Sequence, residues 1–175
     1  MRLSYYCHMV VLDSSALILL AKIEMLETFV LNYSGKILIS GKVRQETCVE
    51  WEEETPLIER LIKSTTKLQV VRIESARLSK KLMEDFHIDA GEAEAVGLAL
   101  KEKASIVATD DRNAIRACKM LGVNFTTAIA ILIRAFEKNL VEKDEALIKL
   151  QKLELVARYN RAIIEDAKKR IEGGD

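Results

Sequence analysis

Six carboxylates, in four separated stretches of the chain, stand where apolar runs end or helices begin. Asp13 closes VVLD, and Glu46 lies about one turn into GKVRQE after KILIS. Glu92 and Glu94 belong to DAGEAEAVGLAL, and Asp110 and Asp111 follow SIVAT. The adjacent pair is the sharpest case, because two like charges about 4 Å apart repel by about 1 kcal/mol in water and about 4 kcal/mol near a protein surface. A solvated turn tolerates such a pair, whereas a functional site requires it. Clustered carboxylates raise one another's pKa and destabilise a fold unless a cation compensates them. Oxygen donors with no His or Cys beside them suit Mg²⁺ or Mn²⁺ rather than zinc. Such ions polarise phosphoryl oxygens and activate water, so metal-dependent phosphodiester hydrolysis is the chemistry this set predicts.

The elements that must position these groups can be read from the apolar pattern. Strands are predicted at 8–13, 36–40, 68–73, 105–109 and 123–127, with helices at 15–33, 42–64, 74–86, 90–103 and 111–121. Runs of β-branched residues separated by helices predict an α/β fold whose parallel sheet is built from βαβ units. Residues 128–172 hold no further strand pattern and read as two or three helices ended by Gly173 and Gly174. Chemistry in an open parallel sheet gathers outside the C-terminal strand ends, which is where Asp13, Asp110 and Asp111 fall. In the 90–103 helix, Glu92 shares a stripe with Asp89, Val96 and Ala99 and is expected to face inward. Glu94 is about 200° further round, in a more outward direction, and is held in reserve. The plain alternative for both glutamates is stabilisation of a helix N-terminus through its dipole.

Composition narrows the class. The chain has 175 residues, 49% of them hydrophobic, and a single proline, Pro56, with no linker-like tract, so one domain with a sizeable core is expected. Lys plus Arg and Asp plus Glu both number 27, so any attraction to nucleic acid must come from local patches rather than net charge. Cys7, Cys48 and Cys118 are too scattered for a disulfide framework or a zinc knuckle and read as reduced thiols of a cytoplasmic protein. No apolar run approaches the roughly 18 residues of a membrane span.

The blocks VVLDSSALILLAKIEML (10–26), ILISGKVRQE (37–46), DAGEAEAVGLALKEKASIVATDDRNAIRACKMLGV (89–123) and TTAIAIL (126–132) together resemble the PIN-domain nucleases, including the toxin ribonucleases of prokaryotic toxin–antitoxin pairs. The resemblance covers roughly residues 9–135. It implies a three-layer α/β/α domain with a central parallel sheet of about five strands. Residues 1–135 would form the PIN-like nuclease domain, and 136–175 a helical C-terminal extension packing on that domain or on a partner. It also implies an acidic pocket holding one or two Mg²⁺ or Mn²⁺ ions that cleaves single-stranded or loop RNA. Carried onto this chain, Asp13 resembles the first acidic ligand, Glu46 the second, and Glu92 the third, where many members have Asp. The fourth is Asp111 or Asp110, with Asp111 favoured by its distance from Thr109. Ser15 and Thr109 resemble hydroxyls that orient a carboxylate or a water. RNA is the implied substrate and an antitoxin the implied protein partner. The apolar faces of 128–172 point to a homodimer or partner surface unless they complete the core.

Other residues carry weaker signals. Lys42, Arg44, Arg112, Arg116 and Lys119 flank the acidic blocks and either neutralise RNA phosphates or form ordinary solvated helix faces. Trp51, Tyr5, Tyr6 and Tyr159 are candidates for base stacking, with packing the commoner role. Glu52–Glu54 read as a solvated face, and His8 and His87 sit in no catalytic motif. A phosphotransfer receiver would need a lysine closing its last strand, and VNFTTA has none. A haloacid-dehalogenase-like phosphatase would need Asp-x-Asp where this chain has Asp-Ser-Ser. The main competing reading is a catalytically silent PIN-like domain used as a protein or RNA interaction module.

Overall fold

Val10, Val11 and Leu12 are all buried to within 1% of full burial, as expected for a strand covered on both faces. They belong to β1 (Met9–Leu12), the middle strand of a five-stranded sheet whose other members are β2 (Lys36–Ser40), β3 (Leu68–Val71), β4 (Ile106–Ala108) and β5 (Phe125–Thr126). The order is β3-β2-β1-β4-β5 and every neighbouring pair is parallel. The computed structural model describes residues 8–73 and 75–173; Tyr5, Tyr6, Cys7 and Gly174 lie outside them. Among the described residues the strands alternate with α1 (Ser14–Lys22), α2 (Leu26–Asn32), α3 (Gly41–Thr47), α4 (Thr55–Ser64), α5 (Ala76–Phe86), α6 (Ala90–Glu102) and α7 (Arg112–Leu121). Three helices follow β5: α8 (Ala128–Glu137), α9 (Lys143–Val156) and α10 (Arg161–Glu172). The predicted α/β fold with a parallel five-stranded sheet is therefore observed, β2 with the expected bounds and the other four strands shorter than the apolar runs suggested.

Side-chain alternation along the strands divides the core in two. Val10, Leu12, Ile37, Ile39 and Ala108 pack on one face with α1, α8, α9 and α10. Val11, Leu38 and Val107 pack on the other, mainly against the small buried residues of α6. Leu132, Leu150, Leu153, Ile164 and Ile171 belong to the first cluster, so the C-terminal helices close over the same core as the sheet.

The connectivity creates the site. From β1 the chain moves outward through β2 to β3, then crosses back over α5 and α6 to β4 on the opposite side of β1. The strand order reverses between β1 and β4, and a crevice outside their C-terminal ends is the expected result. Hydrogen bonds hold that rim in register: Asp13 N donates to Ala108 O at 3.0 Å, and Thr109 N donates to Thr126 O at 2.9 Å.

Two helices predicted as continuous are broken. The 15–33 segment divides at Ile23–Met25, where Glu24 takes a left-handed φ of 57° while Ile23 and Met25 stay fully buried. The buried Lys149 ammonium donates to Ile23 O at 3.2 Å and Glu24 O at 3.1 Å, satisfying carbonyls that the end of α1 leaves open. The 42–64 segment divides at Cys48–Glu54, with Trp51 at φ 79° and 93% exposed. Pro56 begins α4 in its first turn, where a missing N–H leaves nothing unpaired. Glu52 and Glu53 thus lie in a loop rather than on a helix face. Among the described residues no helix is long and apolar enough to cross a membrane.

Candidate functional site

Asp13 follows β1 directly and caps α1. Its backbone is extended, and its Oδ1 accepts from Ala16 N at 2.8 Å and from the Ser15 hydroxyl at 2.8 Å. Such caps contribute about 1 kcal/mol, which explains one oxygen and leaves the other. Oδ2 is buried and closes no hydrogen bond among the described residues. Asp13 is fully buried, and burial pushes its carboxyl up to about 6 against the relief given by Ala16 N–H and the nearby Thr109 and Ser15 hydroxyls. A group in this condition is short of positive charge.

Ser15 links the two strand ends. Its hydroxyl donates to Asp13 and accepts from Asp110 N at 2.8 Å. The adjacent aspartates then diverge. Asp111 caps α7, its Oδ1 accepting from Asn113 N at 2.7 Å and Ala114 N at 2.9 Å, while its own N–H donates to the buried Thr109 hydroxyl at 3.2 Å. Asp110 turns instead to the start of α8 and accepts from Ala128 N at 3.0 Å and from the Tyr159 hydroxyl. Burial, followed by the Asp13 carboxylate, raises Asp110 to about 7. Partners at two different helix N-termini answer how the chain accommodates two neighbouring carboxylates.

Glu92 completes a reciprocal capping box at α6: its Oε2 accepts from Asp89 N at 2.9 Å, and its N–H donates to Asp89 Oδ1 at 2.8 Å. Burial, then the charges of Asp111, Asp89 and Asp13, raise it to about 7. Glu92, Asp110 and Asp111 line one open cleft of about 910 Å³, with Ser15 beside them. Glu46 stands apart from that lining. Its Oε2 accepts from the Ser14 hydroxyl at 2.6 Å, and Lys42 Nζ approaches its Oε1 at 3.8 Å. Gly91 makes this arrangement possible, since a Cβ there would come within 2.1 Å of Glu46 Oε2 and 3.0 Å of Ser14 Oγ.

The expectation that Glu94 points outward requires correction. It is half-buried and accepts from Lys42 N at 3.1 Å, tying the start of α3 to α6. Helix α6 buries Gly91, Ala93, Ala95, Val96, Gly97, Leu98 and Ala99, so it has no single outward face in that turn.

Four helix N-termini, those of α1, α6, α7 and α8, meet the carboxylates of Asp13, Glu92, Asp111 and Asp110 respectively. Each terminus carries roughly half a positive charge, which offsets part of the repulsion. Of the predicted phosphate-binding cations, Arg112 lines the cleft, whereas Lys42 is paired with Glu46. Arg44 and Arg116 are exposed and outside the lining. Lys22, Arg158, Tyr159 and Asn160 also border it. Sequence reasoning missed the placement of Arg158, Tyr159 and Asn160 because the α9–α10 connector lies far along the chain from the acidic blocks, and that of Lys22 because it stands at the far end of α1 from Asp13.

The donor set is all oxygen, and the unpartnered Asp13 Oδ2 among carboxyls of raised pKa has the character of a hard-cation site. Among the described residues, no group of three His, Cys, Asp or Glu side chains is gathered tightly enough to hold a metal as they stand. The carboxylates are engaged with Tyr159, Ser14 and the helix caps instead.

Helices on both faces of a five-stranded parallel sheet, with acidic side chains at the β1/β4 crevice, place the protein in the open-sheet α/β class. A family model described as a PIN domain matches residues 9–172, and the chain belongs to the PIN-domain family. PIN domains are generally nucleases and typically use divalent metal ions. A search of curated proteins returned no match.

Proposed function

We propose that this protein is a Mg²⁺- or Mn²⁺-dependent endoribonuclease that hydrolyses phosphodiester bonds of single-stranded or loop RNA in the cytoplasm. The observation carrying this reading is the buried, unpartnered Oδ2 of Asp13, set behind a cleft lined by Glu92, Asp110 and Asp111. Asp13, Glu92, Asp110 and Asp111 would hold the ion or ions, with Glu46 reaching in on release from Ser14. A bound divalent ion supplies charge stabilisation at the scissile phosphate. Ser15 keeps Asp13 oriented, and Thr109 braces the turn that carries Asp111. Arg112, Lys22 and Arg158 at the cleft border supply local positive charge for flanking phosphates in a chain of zero net charge. An antitoxin is the expected partner if the protein acts as a toxin. Exposed Ile148 and Leu155 of α9, outside the cleft lining, are the apolar surface on which a homodimer would form.

A second reading, a catalytically silent interaction module, draws on the absence of a converged three-ligand group among the described residues. Incubating a labelled single-stranded RNA with wild type and Asp13→Asn, in Mn²⁺ and in EDTA, separates the two. The nuclease reading expects cutting by wild type in Mn²⁺ alone. Well-folded wild type that neither cuts RNA nor binds Mn²⁺ leaves the silent module.

A further inference from the structure

Tyr159 contacts the acidic cleft from the connector between α9 and α10, 49 positions beyond Asp110. Its hydroxyl donates to Asp110 Oδ1 and accepts from Ile129 N at 3.3 Å, while its ring packs against the core cluster shared by α1, α8 and α9. Ala128 N donates to the same carboxylate at 3.0 Å. Asp110 is thus gripped by a phenol and a helix N-terminus, both outside its own turn. Ser15 fixes the Asp110 backbone from the opposite side. An aspartate side chain free at this rim would sample several rotamers, and this arrangement selects one.

We propose that Tyr159 is a positioning residue for the acidic cleft. It fixes the Asp110 carboxylate at the mouth of the site and makes the α9–α10 connector a working wall of it. This inference rests on the proposed metal-dependent reading. The hydroxyl acts on a cation only through Asp110, by setting where that carboxylate presents its remaining lone pairs. Outer partners of metal-binding carboxylates typically change metal affinity about 10- to 100-fold when removed.

The test uses the full-length protein and Mn²⁺ alone, by calorimetry, on wild type, Tyr159→Phe, Asp110→Asn and the double variant, with thermal melts in EDTA alongside. Tyr159→Phe keeps the ring and its packing and removes only the hydroxyl. The expected result is Mn²⁺ affinity about tenfold weaker in Tyr159→Phe, with less than about a twofold further change when Tyr159→Phe is added to Asp110→Asn. Asp110→Asn that binds no Mn²⁺, alongside a roughly tenfold loss in Tyr159→Phe, supports the same conclusion. Wild type that binds Mn²⁺ with Tyr159→Phe binding equally well overturns the role of Tyr159 and leaves the metal reading intact. Equal losses in the wild-type and Asp110→Asn backgrounds overturn it too, because the hydroxyl would then act by another route. Wild type that binds no Mn²⁺ overturns the metal reading itself and this inference with it.

Discussion

Replacing Asp13 by Asn should stabilise the metal-free protein, and the size of the gain follows from its burial. Asn retains an Oδ1 to accept from Ala16 N and Ser15, so the α1 cap survives, and its amide can donate toward the neighbouring Thr109 hydroxyl. What disappears is a fully buried negative charge with one unpartnered oxygen. The rise of the Asp13 pKa from 3.8 to about 6 corresponds to about 3 kcal/mol at roughly 1.4 kcal/mol per unit. A raised native pKa means protons are taken up on folding, so this penalty is absent below the unfolded value and complete once pH exceeds the native one. Near pH 8 Asp13→Asn should therefore gain about 2–3 kcal/mol, equivalent to about 4–12 °C in Tm. Near pH 4.5 the gain should shrink to about 1 kcal/mol. Urea unfolding of both proteins in EDTA at the two pH values measures this directly, and repeating it in Mn²⁺ should stabilise wild type far more than the variant. A variant less stable than wild type by similar amounts at both pH values would refute the reasoning, as would equal stabilisation of both by Mn²⁺.

Further consequences follow from the same geometry. Wild type in EDTA should lose stability as pH rises through 6–7, because Asp13, Glu92 and Asp110 all have raised pKa values. Glu24, Glu59 and Glu137 are held below their ordinary range by Lys152, Lys63 and Arg170, so their contribution is lost only as pH falls through the acid range. Melts across pH should thus peak in mild acid, and a saturating divalent ion should move the peak upward. Gly91→Ala should force the flexible end of Glu46 off Ser14, given a Cβ placed 2.1 Å from its Oε2. Helix propensity offsets the crowding, so stability should change by less than about 1 kcal/mol, and a Glu46 freed from Ser14 to reach the ion should tighten Mn²⁺ binding; an unchanged Mn²⁺ affinity would remove Glu46 from the site. Lys149→Met leaves the Ile23 and Glu24 carbonyls without their buried donor, which should cost about 2–3 kcal/mol and lower Tm by about 4–12 °C.

The parallel sheet and the strand-end carboxylates were legible because each rests on a local pattern. VVLD, KILIS and SIVAT are short apolar runs bounded by polar residues, and they place Asp13, Asp110 and Asp111 at strand ends; that Asp13 and Asp111 cap α1 and α7 emerges only in the structure. The breaks after α1 and α3 were less visible. No Gly or Pro marks residues 23–25, and the kink is stabilised by Lys149, which lies 126 positions away from Ile23. Pro56 marked the start of α4, but the amphipathic pattern around it concealed the loop. The direction of Glu94 was misread because an apolar stripe defines inside and outside only for a helix with a wet face, and α6 is packed on nearly all sides. Tyr159 gave no signal of its partner, since LELVARYN is an ordinary helix end and only the packing of α9 and α10 brings it to Asp110.

The central claim is that the unpartnered oxygen of Asp13 belongs to a divalent-metal site at the β1/β4 crevice. Anomalous scattering from a crystal soaked in Mn²⁺ tests it most directly. The account predicts a peak against Asp13 Oδ2 in the cleft bordered by Glu92, Asp110 and Asp111, absent from Asp13→Asn crystals treated alike. Mn²⁺ bound only elsewhere, or a peak in the cleft that persists in Asp13→Asn, would contradict it.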